Sequence, residues 1–297
     1  MMTAIIGVAV TLLLPQPAWS FSPSSSSLIG VFQPKVSSSK LHSIPTPIDT
    51  FTSGLASIAR LPFGVTVSGG NPPSASEILP KILKLYDVEN DRQCRVVRER
   101  ITELDLVVEN VIPSTSNSRV MERGEVIAVP TLVAFVDGTE VKFEGLDSIL
   151  GFFDDKFSIE KDEQSTEKES TEEMYIEQVK DTLLNVASYF PGILRAGRGK
   201  SICSAASSKL SPPRPAQPLI LYSYEGNQFC RLVREVLTEL DITYELRSAG
   251  KGSPRREELA KLTGGSSQCP YLIDPNTDIQ MPESKDIVGK NQTLCSM

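Results

Sequence analysis

Leu219 to Ile242 reads LILYSYEGNQFCRLVREVLTELDI, and Leu83 to Leu106 reads LKLYDVENDRQCRVVRERITELDL. The two stretches align without a gap at an offset of 136, and 13 of their 24 positions are identical. The identical pairs include Tyr86/Tyr222, Cys94/Cys230, Arg98/Arg234, Glu99/Glu235 and Leu104/Leu240. Self-similarity of this kind marks a duplicated structural unit. It extends upstream, where Arg60 and Gly64 match Arg195 and Gly199 in an Arg-x-x-x-Gly element. Downstream, Val129-Pro130 pairs with Cys269-Pro270.

Each copy has the pattern of a βαβ unit. Leu219–Ser223 is a short apolar strand. The helix after it carries Cys230, Val233, Leu237 and Leu240 at spacings of three, four and three, a buried stripe. Arg231, Arg234, Glu235 and Glu239 point away from that stripe. Thr243–Arg247 alternates as a second strand. Ser253 reads as the N-cap of a further helix, with Pro254 at its first position and Gly264-Gly265 at its end. A hairpin follows, with strands Tyr271–Ile273 and Ile279–Met281 around Asp274–Thr277. Unit one repeats the order, with strands 82–86, 106–111, 131–136 and 139–143, a helix over 92–104, and Asp137-Gly138 as a two-residue turn. A helix from about Leu146 to Phe157 closes it. This is a thioredoxin arrangement.

The rest of the chain divides around these units. Residues 1–20 read as a signal peptide, with an apolar run from Ala4 to Leu14 and the small residues Ala18 and Ser20. Residues 21–50 are Ser-rich with a single acid, a transit-like composition. Phe21-Ser-Pro directly after the signal resembles the bipartite plastid presequence of diatoms and related algae, which implies the chloroplast stroma; the alternative is the secretory pathway. Residues 51–80 form a helical lead and connector, and 81–158 thioredoxin-like domain 1. Residues 159–215 hold an acidic linker, a helix over Met174–Tyr189 and an Arg/Gly loop. Residues 216–289 are domain 2, and 290–297 a tail.

Composition removes several chemistries. A net charge of −7 speaks against nucleic acid or an anionic membrane as a partner. No run reaches the ~18 apolar residues of a membrane span, so no membrane attachment is expected of the mature form. His42 is the only histidine and lies in the Ser-rich stretch, so neither a histidine triad nor a Cys/His zinc site is available, and no metal is expected. The five cysteines, Cys94, Cys203, Cys230, Cys269 and Cys295, include no C-x-x-C pair. Arg195-Ala-Gly-Arg198-Gly-Lys200 is not a phosphate loop, because G-x-x-x-x-G-K-[ST] is absent.

The segments LYSYEGNQFCRLVREVLTELDITYEL, GSPRREELAKLTGG and CPYLIDPNTDIQMPESKDI resemble the thioredoxin-like N-terminal domain of glutathione transferases, and glutaredoxins. Together with ILRAGRGKS they make the chain similar to plastid proteins that carry two such domains in tandem, over roughly residues 50–288. The resemblance implies an α/β fold of two tandem thioredoxin-like domains, each a mixed four-stranded sheet with flanking helices. It implies cis-prolines at Pro130 and Pro270 facing the helix starts. It implies a glutathione site in unit two formed by Asn227, Cys269, Pro270, Glu283 and Ser284. The Glu-Ser pair is broken in unit one, which reads Glu144-Gly-Leu-Asp-Ser148. The family's last helix continues beyond Val288, where this sequence turns to Gly-Lys-Asn-Gln, so a shortened helix and a less stable unit two are expected.

In such sites the nucleophile is the first Cys of C-x-x-C at a helix N-terminus, where amides and dipole favour thiolate. Here that position holds Asp91 in unit one and Asn227 in unit two, and Cys94 and Cys230 fill the second. Both cysteines lie on the buried stripe, where a thiol behaves as a small apolar group. Cys230 and Cys269 remain the candidate catalytic thiols, the latter directly before Pro270, and a Cys230–Cys269 disulfide stays open. Tyr224 is a candidate hydroxyl donor to a thiolate. The expected function is glutathione or protein-thiol binding with weak or no disulfide-reductase activity. If the chain is an enzyme, it is a glutathione-dependent transferase or a thiol oxidoreductase. The alternative is a non-catalytic thioredoxin-fold scaffold.

Overall fold

The computed structural model describes residues 46–68, 80–124, 128–157, 190–195, 197–203 and 214–289. The expected signal peptide, most of the transit-like segment, the helix over Met174–Tyr189, Cys295 and the tail lie outside them.

The first half contains strands β1 (Lys81–Asp87), β2 (Val107–Pro113), β3 (Thr131–Val136) and β4 (Thr139–Glu144). The second half contains β5 (Leu219–Ser223), β6 (Tyr244–Ser248), β7 (Tyr271–Asp274) and β8 (Ile279–Pro282). Pairing follows one rule in both. β1 runs parallel to β2 and antiparallel to β3, which pairs antiparallel with β4. β5 stands in the same relation to β6 and β7, and β7 to β8.

The expectation of two four-stranded sheets needs correction. β2 and β6 pair antiparallel, Val108 opposite Leu246 and Val111 opposite Tyr244, and fuse the halves into one sheet of order β4-β3-β1-β2-β6-β5-β7-β8. Left apart, β2 and β6 would each present an edge of unpaired backbone groups; their pairing satisfies both.

Helix α1 (Pro47–Ile58) precedes the sheet, capped by a Thr46/Asp49 capping box. It therefore starts inside the segment assigned to the transit-like stretch. Helix α2 (Arg92–Glu103) follows β1, the single turn α3 (Arg119–Glu122) follows β2, and α4 (Leu146–Phe157) follows β4. Then come α5 (Phe190–Leu194), α6 (Gln228–Glu239) after β5, and α7 (Arg255–Thr263) after β6. Residues 284–289 are helical, with Ile287 and Val288 in the core. Helices α2 and α6 end on Asp105 and Asp241 at φ +51 and +54, 136 residues apart. Asp137 and Gly138 both have positive φ, as a twist-matched two-residue hairpin turn requires. Helix α7 starts later than expected: Arg255 is its first residue, and the Ser253 hydroxyl accepts from the Arg255 amide.

One apolar core runs under both halves. Leu85, Val97, Ile101, Val108 and Leu132 are continuous with Leu221, Val233, Leu237, Leu246 and Leu272. Tyr222, adjacent to Leu221, points to the opposite face, where it packs with Leu259 of α7 and Tyr271.

Candidate functional site

The site forms where β5 ends and α6 begins. Asn227 is the N-cap: its Oδ1 accepts from the amides of Phe229 (2.8 Å) and Cys230 (3.3 Å). Asp91 caps α2 in the same way, from Gln93 and Cys94. The Asn227 Nδ2 donates to the carbonyl of Cys269 at 3.3 Å. That contact ties the helix start to the Cys269–Pro270 peptide, which is cis, as is Val129–Pro130. A third cis bond, Leu61–Pro62, had no sequence signal.

The thiols are poorly placed for attack. Cys230 has no exposed surface, and burial pushes its pKa up against the opposing pull of Arg234. Burial and then Asp87 push Cys94 well above an ordinary thiol. Cys269 is half-buried against Tyr222, Leu259 and Tyr271, and burial followed by the neighbouring Cys230 pushes it up; Arg256 opposes this. None of these surroundings makes thiolate at neutral pH. Cys230 and Cys269 are both free thiols, so the disulfide left open by the sequence is not formed. Tyr224 lies near Cys230 and Cys269, with the Arg256 guanidinium 5.2 Å from its ring centre, and burial raises its hydroxyl pKa.

Glu283 is exposed and sits at φ +71, a region that disfavours a residue with a Cβ. Ser284 is buried at the start of the helical residues 284–289. The corresponding junction of the first half, between β4 and α4, has Gly145 at φ +80. One half thus places a glycine at this turn, and the other holds a carboxylate there at a backbone cost.

The surroundings of this site are the part the sequence reading missed. The loop from Tyr224 to Asn227 is held by the first half. The Glu225 amide donates to the Thr102 hydroxyl (3.2 Å), and the Gly226 amide to the Gly64 carbonyl (2.7 Å). The Glu225 carboxylate accepts from Arg98 of α2 (2.9 Å) and Arg234 of α6 (2.7 Å). Burial alone would raise the Glu225 pKa; the guanidiniums of Arg234, Arg98, Arg231 and Arg95 outweigh it and hold the carboxyl at about 2. Reciprocally, Arg234 donates to Glu89 at 2.9 and 3.0 Å. The outward helical face read from the sequence is therefore buried: Arg231, Arg234 and Glu235 are enclosed between the halves, and only Glu239 stays partly open.

The Arg-x-x-x-Gly elements complete the arrangement. Arg60 binds Glu99 in a two-bond fork (2.9 and 2.6 Å), and Arg195 binds Glu235 likewise (2.8 and 2.7 Å). Gly64 and Gly199 have φ +63 and +66; a Cβ on either would stand 2.9 Å from the Cβ of Glu225 or Glu89. Only glycine permits that approach. Arg198 is engaged by Glu239 and Asp49, and Arg255 by Asp105, so these basic groups serve ion pairs within the chain.

Beside the site a groove of about 760 Å³ runs between α1 and the start of α6, lined in part by Phe51, Leu55, Ile58, Gln228, Phe229 and Lys285. No helix of the described residues is long and apolar enough to cross a membrane.

Fold and site define a mixed α/β protein of the thioredoxin-like class. A family model described as glutathione S-transferase, N-terminal domain, matches residues 221–290 and gives that stretch as a thioredoxin-like domain of this type. No curated protein and no solved structure matches the chain.

Proposed function

We propose that the chain is a tandem of two thioredoxin-like units in which the second binds glutathione or a protein thiol, and the first serves to hold that site. The observation that carries this reading is the Asn227–Cys269 contact, which sets a capped helix N-terminus against a cis-peptide. Asn227, Cys269 and Pro270 would flank the thiol, and Glu283 with Ser284 would take the amino-acid end. The backbone cost retained at Glu283 supports a role for that carboxylate. Isothermal calorimetry with glutathione tests the reading, with Glu283→Ala as control. Millimolar binding that the substitution weakens is expected; no binding at millimolar glutathione overturns it.

Three observations favour binding over redox catalysis within this site. Asn227 occupies the attacking position, Cys230 is fully buried, and the Cys269 thiol is held protonated. The proposed protein therefore has weak or no disulfide-reductase activity, and acts as a thiol-binding or scaffold protein. Cysteine-dependent turnover that is lost in Cys230→Ser or Cys269→Ser would overturn this. Plastid targeting by residues 1–50 is part of the proposal; a fluorescent fusion of those residues that enters the secretory pathway instead would reject it.

A further inference from the structure

Helix α1 carries Ile48, Phe51, Leu55 and Ile58 at spacings of three, four and three, the seam of a two-stranded helical pair. The seam faces outward. Ile48 is 73 %, Phe51 66 % and Ile58 64 % exposed, beside Phe229 and, on the adjoining α5, Ile193 at 74 %. At about 150–250 Å² for a large side chain, these six expose roughly 700 Å². That exceeds the few hundred Å² usual on a monomer and approaches the ~800 Å² each partner contributes to a standard interface.

We infer that this face joins two copies of the chain, α1 against α1, across a two-fold axis. An isologous contact needs a surface complementary to itself. This one offers a ridge, the α1 seam, whose residues Phe51, Leu55 and Ile58 also form one wall of the groove beside it, so a second seam laid along the first would meet apolar surface on both sides. Lys285 is the one charged residue among those lining the groove, so pairing two copies buries little like charge. Glu283 and Asp286, both exposed, flank it in sequence and offer opposite charge at the rim. A net charge of −7 disfavours an anionic bilayer as the occupant. Because Gln228 follows Asn227 and Lys285 follows Ser284, the second copy would also form a wall of the proposed thiol site.

Sedimentation velocity on the full chain at about 50 µM, well above a micromolar Kd, tests this. Wild type should sediment at twice the chain mass. Phe51→Asp and Ile58→Asp should each weaken self-association at least tenfold while keeping the wild-type circular-dichroism spectrum, any fall in unfolding temperature being that expected from loss of association. Phe135→Asp, an exposed apolar position on β3, should leave the mass doubled. A monomeric wild type, whether its seam is bare or covered by its own chain, overturns the inference. So does a dimer that survives both α1 substitutions. Neither readout depends on glutathione.

Discussion

Arg98, in the first half, donates its Nε to Oε2 of Glu225 in the second, at 2.9 Å, with both side chains buried. Arg234 and Glu89 make the same bond in the reverse direction at the same distance. The polar centre of the molecule is thus crossed over, each half supplying the counter-ion of the other.

Removing one partner of such a pair should be severe. Glu225→Gln leaves Arg98 and Arg234 facing each other without their shared carboxylate, and is expected to cost about 3–5 kcal/mol. Arg98→Met should cost a similar amount. The double substitution should cost less than the sum of the two, because each single change already removes the same Arg98–Glu225 contact, while Arg98 keeps Asp87 and Glu89 as partners in Glu225→Gln. Urea unfolding of the four proteins measures this; additive losses would show that the contact carries no coupling.

Acid should reveal the same carboxylate. The Glu225 carboxyl is held at about 2, below its ordinary 4.5. Its contribution is therefore present above pH 4.5 and lost as pH falls from there toward 2. Stability of the wild type should decline across that window, and Glu225→Gln should flatten the decline. Glu89, which burial holds above its ordinary value, acts in the opposite sense, so comparison with the variant is the informative measurement.

Alkali probes the buried thiols. Cys94, Cys230 and Cys269 are all pushed above an ordinary value of 9.0. Above pH 9 the unfolded thiols ionise while the folded ones stay protonated, so the folded state holds more protons and stability falls as pH rises. Cys230→Ala should reduce that slope by about 1.4 kcal/mol per pH unit, one proton's worth. Alkylation of native protein at pH 8 should leave Cys94 and Cys230 unmodified; rapid labelling of Cys230 would contradict its burial.

At Glu283, stability and binding should move in opposite directions. A glycine adopts φ +71 without the backbone cost that Glu283 bears. Glu283→Gly is expected to raise stability by about 0.5–1 kcal/mol while weakening glutathione at least as much as Glu283→Ala does. A destabilised Glu283→Gly protein would mean that the carboxylate holds the turn rather than a ligand.

The sequence made the strands and helices legible because their periods are local: the stripe of Cys230, Val233 and Leu237 and the turn at Asp137-Gly138 lie where they were read. It could not show that the two sheets are one, since β2 and β6 meet through register between segments far apart in the chain. The buried ionic centre does leave a trace in the sequence. Arg95, Arg98 and Glu99 are identical to Arg231, Arg234 and Glu235 on the helix face away from the apolar stripe, and Glu89 is identical to Glu225. A solvated face has no reason to repeat so closely. Periodicity places those positions only on the face away from the apolar stripe, and hydrophobicity cannot distinguish solvent from a second polar surface there.

The crossed pairs also carry a consequence for how the molecule is joined. Each Arg reaches the Glu of the other copy, and β2 meets β6 antiparallel, so the contact has the symmetry that two separate chains of a single unit would make around a common axis. The fit between the halves then lies in their own described surfaces, and being joined in one chain adds effective concentration. Cut between residues 157 and 190, the fragments should find each other again.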